Sequence, residues 1–93
     1  MKVVFTTEAL ADLDDILEYI SNHYPAIYEA FHNRLQAVVA RVGRRPESAQ
    51  EVAERPGVRV VPLIRYPYKI FYQISNQTVE ILHVHHAARE GTR

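Results

Sequence analysis

The spacing of the apolar residues changes once along this chain, and that change limits the fold more than any other feature. Leu10, Leu13, Ile16, Leu17, Ile20 and Tyr24 recur every three or four residues, as do Ile27, Phe31, Leu35, Val38 and Val42. Such spacing lays one apolar stripe along each of two helices. Beyond Gly57 it gives way to three short runs rich in β-branched and aromatic residues, Val58 to Ile64, Tyr68 to Ile74 and Thr78 to His85, which read as strands. A fourth such run, Lys2 to Phe5, opens the chain. The order is therefore βααβββ. Neither the helices nor the strands are apolar enough on two sides to stand alone, so the helical hairpin must pack on one face of a small, mainly antiparallel sheet. The expected class is α+β.

Local signals agree with this division. Thr6 or Thr7 can cap the first helix, and Glu8 suits its first turn. Pro25 fits the first position of the second helix, and Gly43 reads as its C-terminal stop. Arg44 to Pro56 carries two prolines, many charges and little periodicity. It reads as a long connection with one helical turn at Ser48 to Glu54. Arg65-Tyr66-Pro67 and Ser75-Asn76-Gln77 are short enough to make the last three strands an antiparallel meander. Pro62 has no N–H to give a ladder, which places it at an edge or a bulge.

With 93 residues, the chain is expected to be one domain over residues 1–93. A chain of this size buries only about 60–68% of its unfolded surface, so its core is thin. The absence of Cys excludes a disulfide framework, a thiolate metal site and a cysteine nucleophile. No apolar run approaches the roughly 20 residues of a membrane span, and the start MKVVFTTEAL lacks the apolar core of a secretory signal. A cytoplasmic location without membrane contact is the expectation. The formal net charge of zero hides a division. Residues 1–30 hold one lysine against six acids, a net of −5, and residues 31–93 hold ten basic residues against five acids, a net of +5. Asp12, Asp15 and Glu18 are expected on the solvent side of the first helix. Nine of the eleven basic residues are Arg, which favours planar contact with carboxylate or phosphate.

Several residues can carry chemistry. His83 and His85 alternate onto one strand face, and His83-Val84-His85-His86 offers two imidazoles to a metal ion. No spacing indicates a third ligand among His23, His32 or the acids of the first helix. The expectation is therefore no metal and no cofactor, with His83 in the packed face and His85 and His86 at an exposed strand end. The same histidines, with Arg89 nearby, have the chemistry of general acid–base catalysis on a phosphodiester. Arg59, Arg65, Tyr66, Tyr68, Lys69, Tyr72 and Arg89 interleave cations and rings. Single-stranded RNA and protein hot spots both use such a set. Arg59 and Arg65 are expected on one face, Lys69 opposite to Tyr68 and Tyr72, and Tyr72 in the core.

Taken in order, Gly57-Val58-Arg59, Arg65-Tyr66-Pro67-Tyr68-Lys69-Ile70-Phe71-Tyr72 and Val79-Glu80-Ile81-Leu82-His83-Val84-His85-His86-Ala87-Ala88-Arg89 resemble the RelE/ParE family of bacterial type II toxins. Phe5-Thr6, Ala9, Ala11-Asp12-Leu13, Ile16 and Tyr19-Ile20 are similar to its opening strand and first helix, so the resemblance spans nearly the whole chain. It implies a small growth-regulating toxin, associated with plasmid stabilisation, and a cognate antitoxin encoded by an adjacent gene. That antitoxin is expected to cover apolar surface and to set acids against Arg59, Arg65 or Arg89. The family includes inhibitors of DNA gyrase and ribosome-dependent messenger RNA endoribonucleases. Lys69, Arg59 and Arg89 match basic positions of the nucleases. Val61 and Leu63 stand where some of those carry charge, and the chain ends at Arg93 without their terminal Tyr. His85 or His86 would have to substitute. His86-Ala87-Ala88-Arg89 is more similar to the ParE branch. The resemblance therefore implies a non-enzymatic gyrase inhibitor that binds through Arg59, Arg65, Tyr66, Lys69 and Arg89. The alternative is an endoribonuclease that uses His85, His86, Arg89, Lys69 and Arg59.

Overall fold

A computed structural model describes residues 1–87. Strand β1 (Lys2–Phe5) leads into helix α1 (Thr7–His23), a 3-10 turn (Pro25–Ile27) and helix α2 (Tyr28–Arg44). Strands β2 (Gln50–Glu51), β3 (Val58–Pro62), β4 (Tyr68–Ser75) and β5 (Thr78–His86) follow. The sheet order is β1-β5-β4-β3-β2. β1 runs parallel to β5 and every other pair is antiparallel. The expected α+β architecture is present, with β2 as an addition. β2 replaces the helical turn expected at Ser48 to Glu54. Its two residues pair with Val60 and Arg59, and Pro62 lies beyond its reach, where the missing N–H costs the sheet nothing.

The helix phase is set at Thr6. Its hydroxyl oxygen accepts the Ala9 N–H at 3.1 Å, and its proton is shared between the carbonyls of Ile81 and Leu82 at 3.0 and 3.2 Å. The helix start is thus fastened to β5. Ala9 is turned onto the sheet and fully buried, whereas Leu10 is 50% exposed. The buried stripe is therefore Ala9, Ile16 and Ile20, flanked by the partly buried Leu13 and Leu17, and Leu10 and Tyr24 fall outside the core. In α2 the expected Phe31, Leu35, Val38 and Val42 are buried, but Ile27 is exposed in the 3-10 turn. Gly43 does not stop α2. It lies inside the helix, where an added Cβ would come within 3.1 Å of Val3 Cγ2 and 3.2 Å of the Met1 carbonyl. Its small size admits β1, and the terminal ammonium donates to the Gly43 carbonyl at 2.8 Å.

The core lies between the helices and one sheet face. Tyr68, Ile70 and Tyr72 of β4 join it, as do Val79, Ile81 and Val84 of β5. Alternation cannot place Ile81 and Val84 on the same face. The register resolves this: Tyr72 pairs with Ile81 and Phe71 with His83, so Leu82 is an extra residue in β5. This β-bulge inverts the alternation for the rest of the strand. His83 and His85 are thereby carried to the face away from the helices, and His83 leaves the packed face on which simple alternation put it.

Candidate functional site

Beyond the bulge, β5 outruns β1, which pairs only as far as Phe5 with Ile81. Asp12 of α1 reaches this uncovered edge. Its Oδ2 accepts the Val84 N–H at 3.1 Å and lies 3.1 Å from His83 Nδ1 and 3.9 Å from His85 Nε2. The 29% exposure of the Asp12 side chain corrects its expected place on the solvent face of the helix. With Asp12 as carboxylate, the short contact requires the proton on His83 Nδ1, because the carboxylate can only accept. The imidazoles of His83 and His85 stand 4.8 Å apart, and His85 packs against Phe71 at 5.5 Å.

Lys69 pairs with His85 across β4 and β5, so it shares the face of the two imidazoles and points away from Tyr68 and Tyr72, as expected. Arg59 does not join them. It pairs with the buried Tyr72 on the helix-facing side of the sheet. There it donates to the carbonyls of Glu47 and Ala49 at 3.3 and 2.8 Å, and the Tyr72 hydroxyl donates to the Pro46 carbonyl at 2.7 Å. Both side chains fasten the long connection to the sheet. Burial raises the Tyr72 pKa above its ordinary value, and the nearby Arg59 charge partly opposes the shift.

Arg65 also departs from the expected shared face with Arg59. It lies in the turn between β3 and β4 with a left-handed backbone, φ 86°. Arg65, Tyr66, Pro67, Tyr68, His85 and His86 line one wall of an open groove of ≈ 1050 Å³. Asp12, Asp15, Tyr19 and Ile20 of α1, with Tyr24 and Ile27, line the other. Beneath the groove Phe31 packs T-shaped with Tyr66 and Tyr68 at 5.2 and 5.7 Å, and Tyr68 does so with His86 at 5.2 Å. Arg89 lies outside the described residues. His23 stacks on Tyr19 at 4.3 Å, with Nδ1 3.0 Å from the Tyr19 carbonyl. Among the described residues, Asp12, His83 and His85 form the one group of three that can converge on a metal ion.

This arrangement can orient an imidazole, hold a cation between imidazoles and carboxylate, or receive a partner side chain in the groove. Asp12 is the residue that sequence reasoning did not single out. Its signal is one acid among several, set at the edge of an apolar helical stripe, and nothing in the spacing links it to His83.

Comparisons with known proteins agree with the architecture. A family model described as the ParE toxin of type II toxin-antitoxin systems, parDE, matches residues 3–91. Toxin RelE2 of Caulobacter vibrioides is 34% identical over 89 residues, covering 95% of this chain and 97% of that protein. A solved structure described as a chromosomal ParDE toxin-antitoxin system from P. aeruginosa is similar at a TM-score of 0.80 and 24% identity, over 92% of this chain and 95% of that one. A YoeB/ParE toxin from Agrobacterium tumefaciens is similar at a TM-score of 0.64 and 15% identity, over 92% of this chain and 98% of that one. These two structural likenesses concern the fold.

Proposed function

The chain belongs to the ParE toxin family of type II toxin-antitoxin systems, which makes it the toxin of such a pair with a cognate antitoxin as partner, and we propose that it acts by binding and inhibiting DNA gyrase. One observation carries this choice over RNA cleavage. Arg59 faces the helices and is bonded to its own connection, whereas Lys69 and His85 share the opposite face. A nuclease must gather cations around one phosphate to stabilise the charge that develops on it. Here the imidazoles gather instead around the Asp12 carboxylate, which disfavours an anion at that point.

Inhibition by binding needs contact residues rather than a reaction centre. In this reading Lys69, Arg65 and Tyr66 contact the target, together with Arg89, and Arg59 supports them by fixing the connection. The groove beside Arg65 and Tyr66 suits an antitoxin segment with apolar side chains and a carboxylate for the guanidinium. A ribosome-dependent endoribonuclease is the second reading. It draws on the His83–Asp12 pair, because a carboxylate that orients an imidazole is a familiar arrangement for a general base.

Purified gyrase and programmed ribosomes separate the two. Wild type should inhibit supercoiling and leave messages intact, and Arg65→Ala or Lys69→Ala should weaken inhibition about tenfold, as expected when a contact worth roughly 1.4 kcal/mol is lost. Message cleavage that disappears in a His85→Ala, His86→Ala double variant, with supercoiling untouched by wild type, would refute the gyrase reading in favour of the nuclease.

A further inference from the structure

We propose that Asp12, His83 and His85 form a three-ligand site for a divalent transition-metal ion of the zinc class, with further coordination open toward the groove. The inference does not rest on the gyrase reading, and an ion bound here would offset the Asp12 charge that disfavours an anion. The sequence argued against a metal because it gave no third ligand, and the fold supplies one from α1. The three ligand atoms, Asp12 Oδ2 and one ring nitrogen from each histidine, lie within 4.8 Å of one another. Two of the separations are 3.1 and 3.9 Å. Zinc takes imidazole nitrogen and carboxylate oxygen at about 2.0–2.2 Å, so ligands around it stand roughly 3–4 Å apart. The existing cluster needs only small rotations of partly exposed side chains to close on an ion.

The surroundings favour the same assignment. Two imidazoles and one carboxylate suit borderline transition ions better than magnesium or calcium, which prefer all-oxygen shells. The Val84 N–H bonded to Asp12 Oδ2 is an outer partner of the kind that fixes a ligating carboxylate. The bulge at Leu82 matters because without it His83 would face the core while Asp12 stood at the strand edge. In the metal-free pair a proton lies between His83 Nδ1 and Asp12. The ion would take its place, and a neutral His83 ligating through Nδ1 would carry its single ring proton on Nε2 instead.

The test uses the full-length chain, stripped with a chelator and dialysed, then titrated with zinc chloride by calorimetry and with cobalt chloride by visible absorption. One zinc per chain is expected, with cobalt bands that saturate at one equivalent. Two variants separate coordination from structure. His85→Ala removes a ligand but leaves both hydrogen bonds of Asp12 in place, and Asp12→Asn keeps an oxygen for the Val84 N–H while removing the charge. Each should weaken zinc binding about tenfold or more, whereas His86→Ala and His23→Ala should not. Circular dichroism and antitoxin binding establish that each variant is folded, and if one is not, the other decides. No saturable zinc or cobalt binding by wild type, or one-to-one binding that survives in the folded variants, would overturn the proposal.

Discussion

Replacing Tyr72 with Phe removes one oxygen from the centre of the molecule and leaves the packing otherwise intact. The ring is fully buried, and the hydroxyl makes a 2.7 Å bond to the Pro46 carbonyl. Its loss removes a hydrogen bond and leaves a half-buried carbonyl without that donor, which costs about 1–2 kcal/mol. In a domain of this size that lowers the melting temperature by roughly 4–15 °C. A pH dependence follows from the raised pKa of Tyr72. Because the fold favours the neutral phenol, its contribution is complete below the unfolded value of about 10 and is lost as pH rises through the higher folded value. Urea unfolding followed by circular dichroism, at neutral pH and at several points above about pH 9.5, gives the difference between wild type and Tyr72→Phe. That difference should stay constant to about pH 10 and then shrink. A difference below about 0.3 kcal/mol at neutral pH, or one that does not change with alkalinity, would refute the account of Tyr72 as a buried anchor for the connection.

Two further substitutions probe the backbone. Asn76 and Gln77 join β4 to β5 with φ of 53° and 62°, the left-handed pair of a tight hairpin turn in which Asn-Gly is preferred, so Gln77→Gly should raise stability by about 0.5 kcal/mol by relieving the side chain's strain; an unchanged or lower urea midpoint would count against this. Gly43→Val should displace β1 and cost about 1–3 kcal/mol, with hydrogen exchange accelerated first at Val3 to Phe5; unaltered exchange there would show that the close approach of β1 does not depend on glycine.

The period of the apolar residues was enough to place both helices and the three longer strands, because each buries a repeating face against a single layer. What it could not reveal depends on partners distant in sequence. Leu82 looks like any strand residue, and only the pairing of Phe71 and Tyr72 with His83 and Ile81 makes it a bulge. Gln50 and Glu51 are polar and exposed, so β2 exists through backbone pairing that leaves no apolar signature. Leu10 outranks Ala9 in hydrophobicity, yet the Thr6 cap turns Ala9 to the sheet. Among the candidate site residues, Lys69 was legible on the face away from Tyr68 and Tyr72, but the bulge that brings His85 to that face was not. Arg59 was not legible as an anchor, since its acceptors are backbone carbonyls of a segment with no regular pattern. Asp12 meets His83 only because β1 and β5 run side by side.

That parallel pairing also imposes an order in time. β1 is made well before its partner in the sheet, β5, with Lys2 opposite Thr78 and Phe5 opposite Ile81. β5 is also the strand on which β4 and α1 rest, so the growing chain cannot assemble its sheet centre until β5 has been made. At about 5–20 residues per second, the stretch from Lys2 to Thr78 takes roughly 4–15 s to make, and non-local pairing of this kind is intrinsically slow to form afterwards. The face that carries Lys69 and His85 therefore comes into being only after β5 has been made, which leaves a cognate antitoxin an interval in which to meet a chain whose sheet is not yet built.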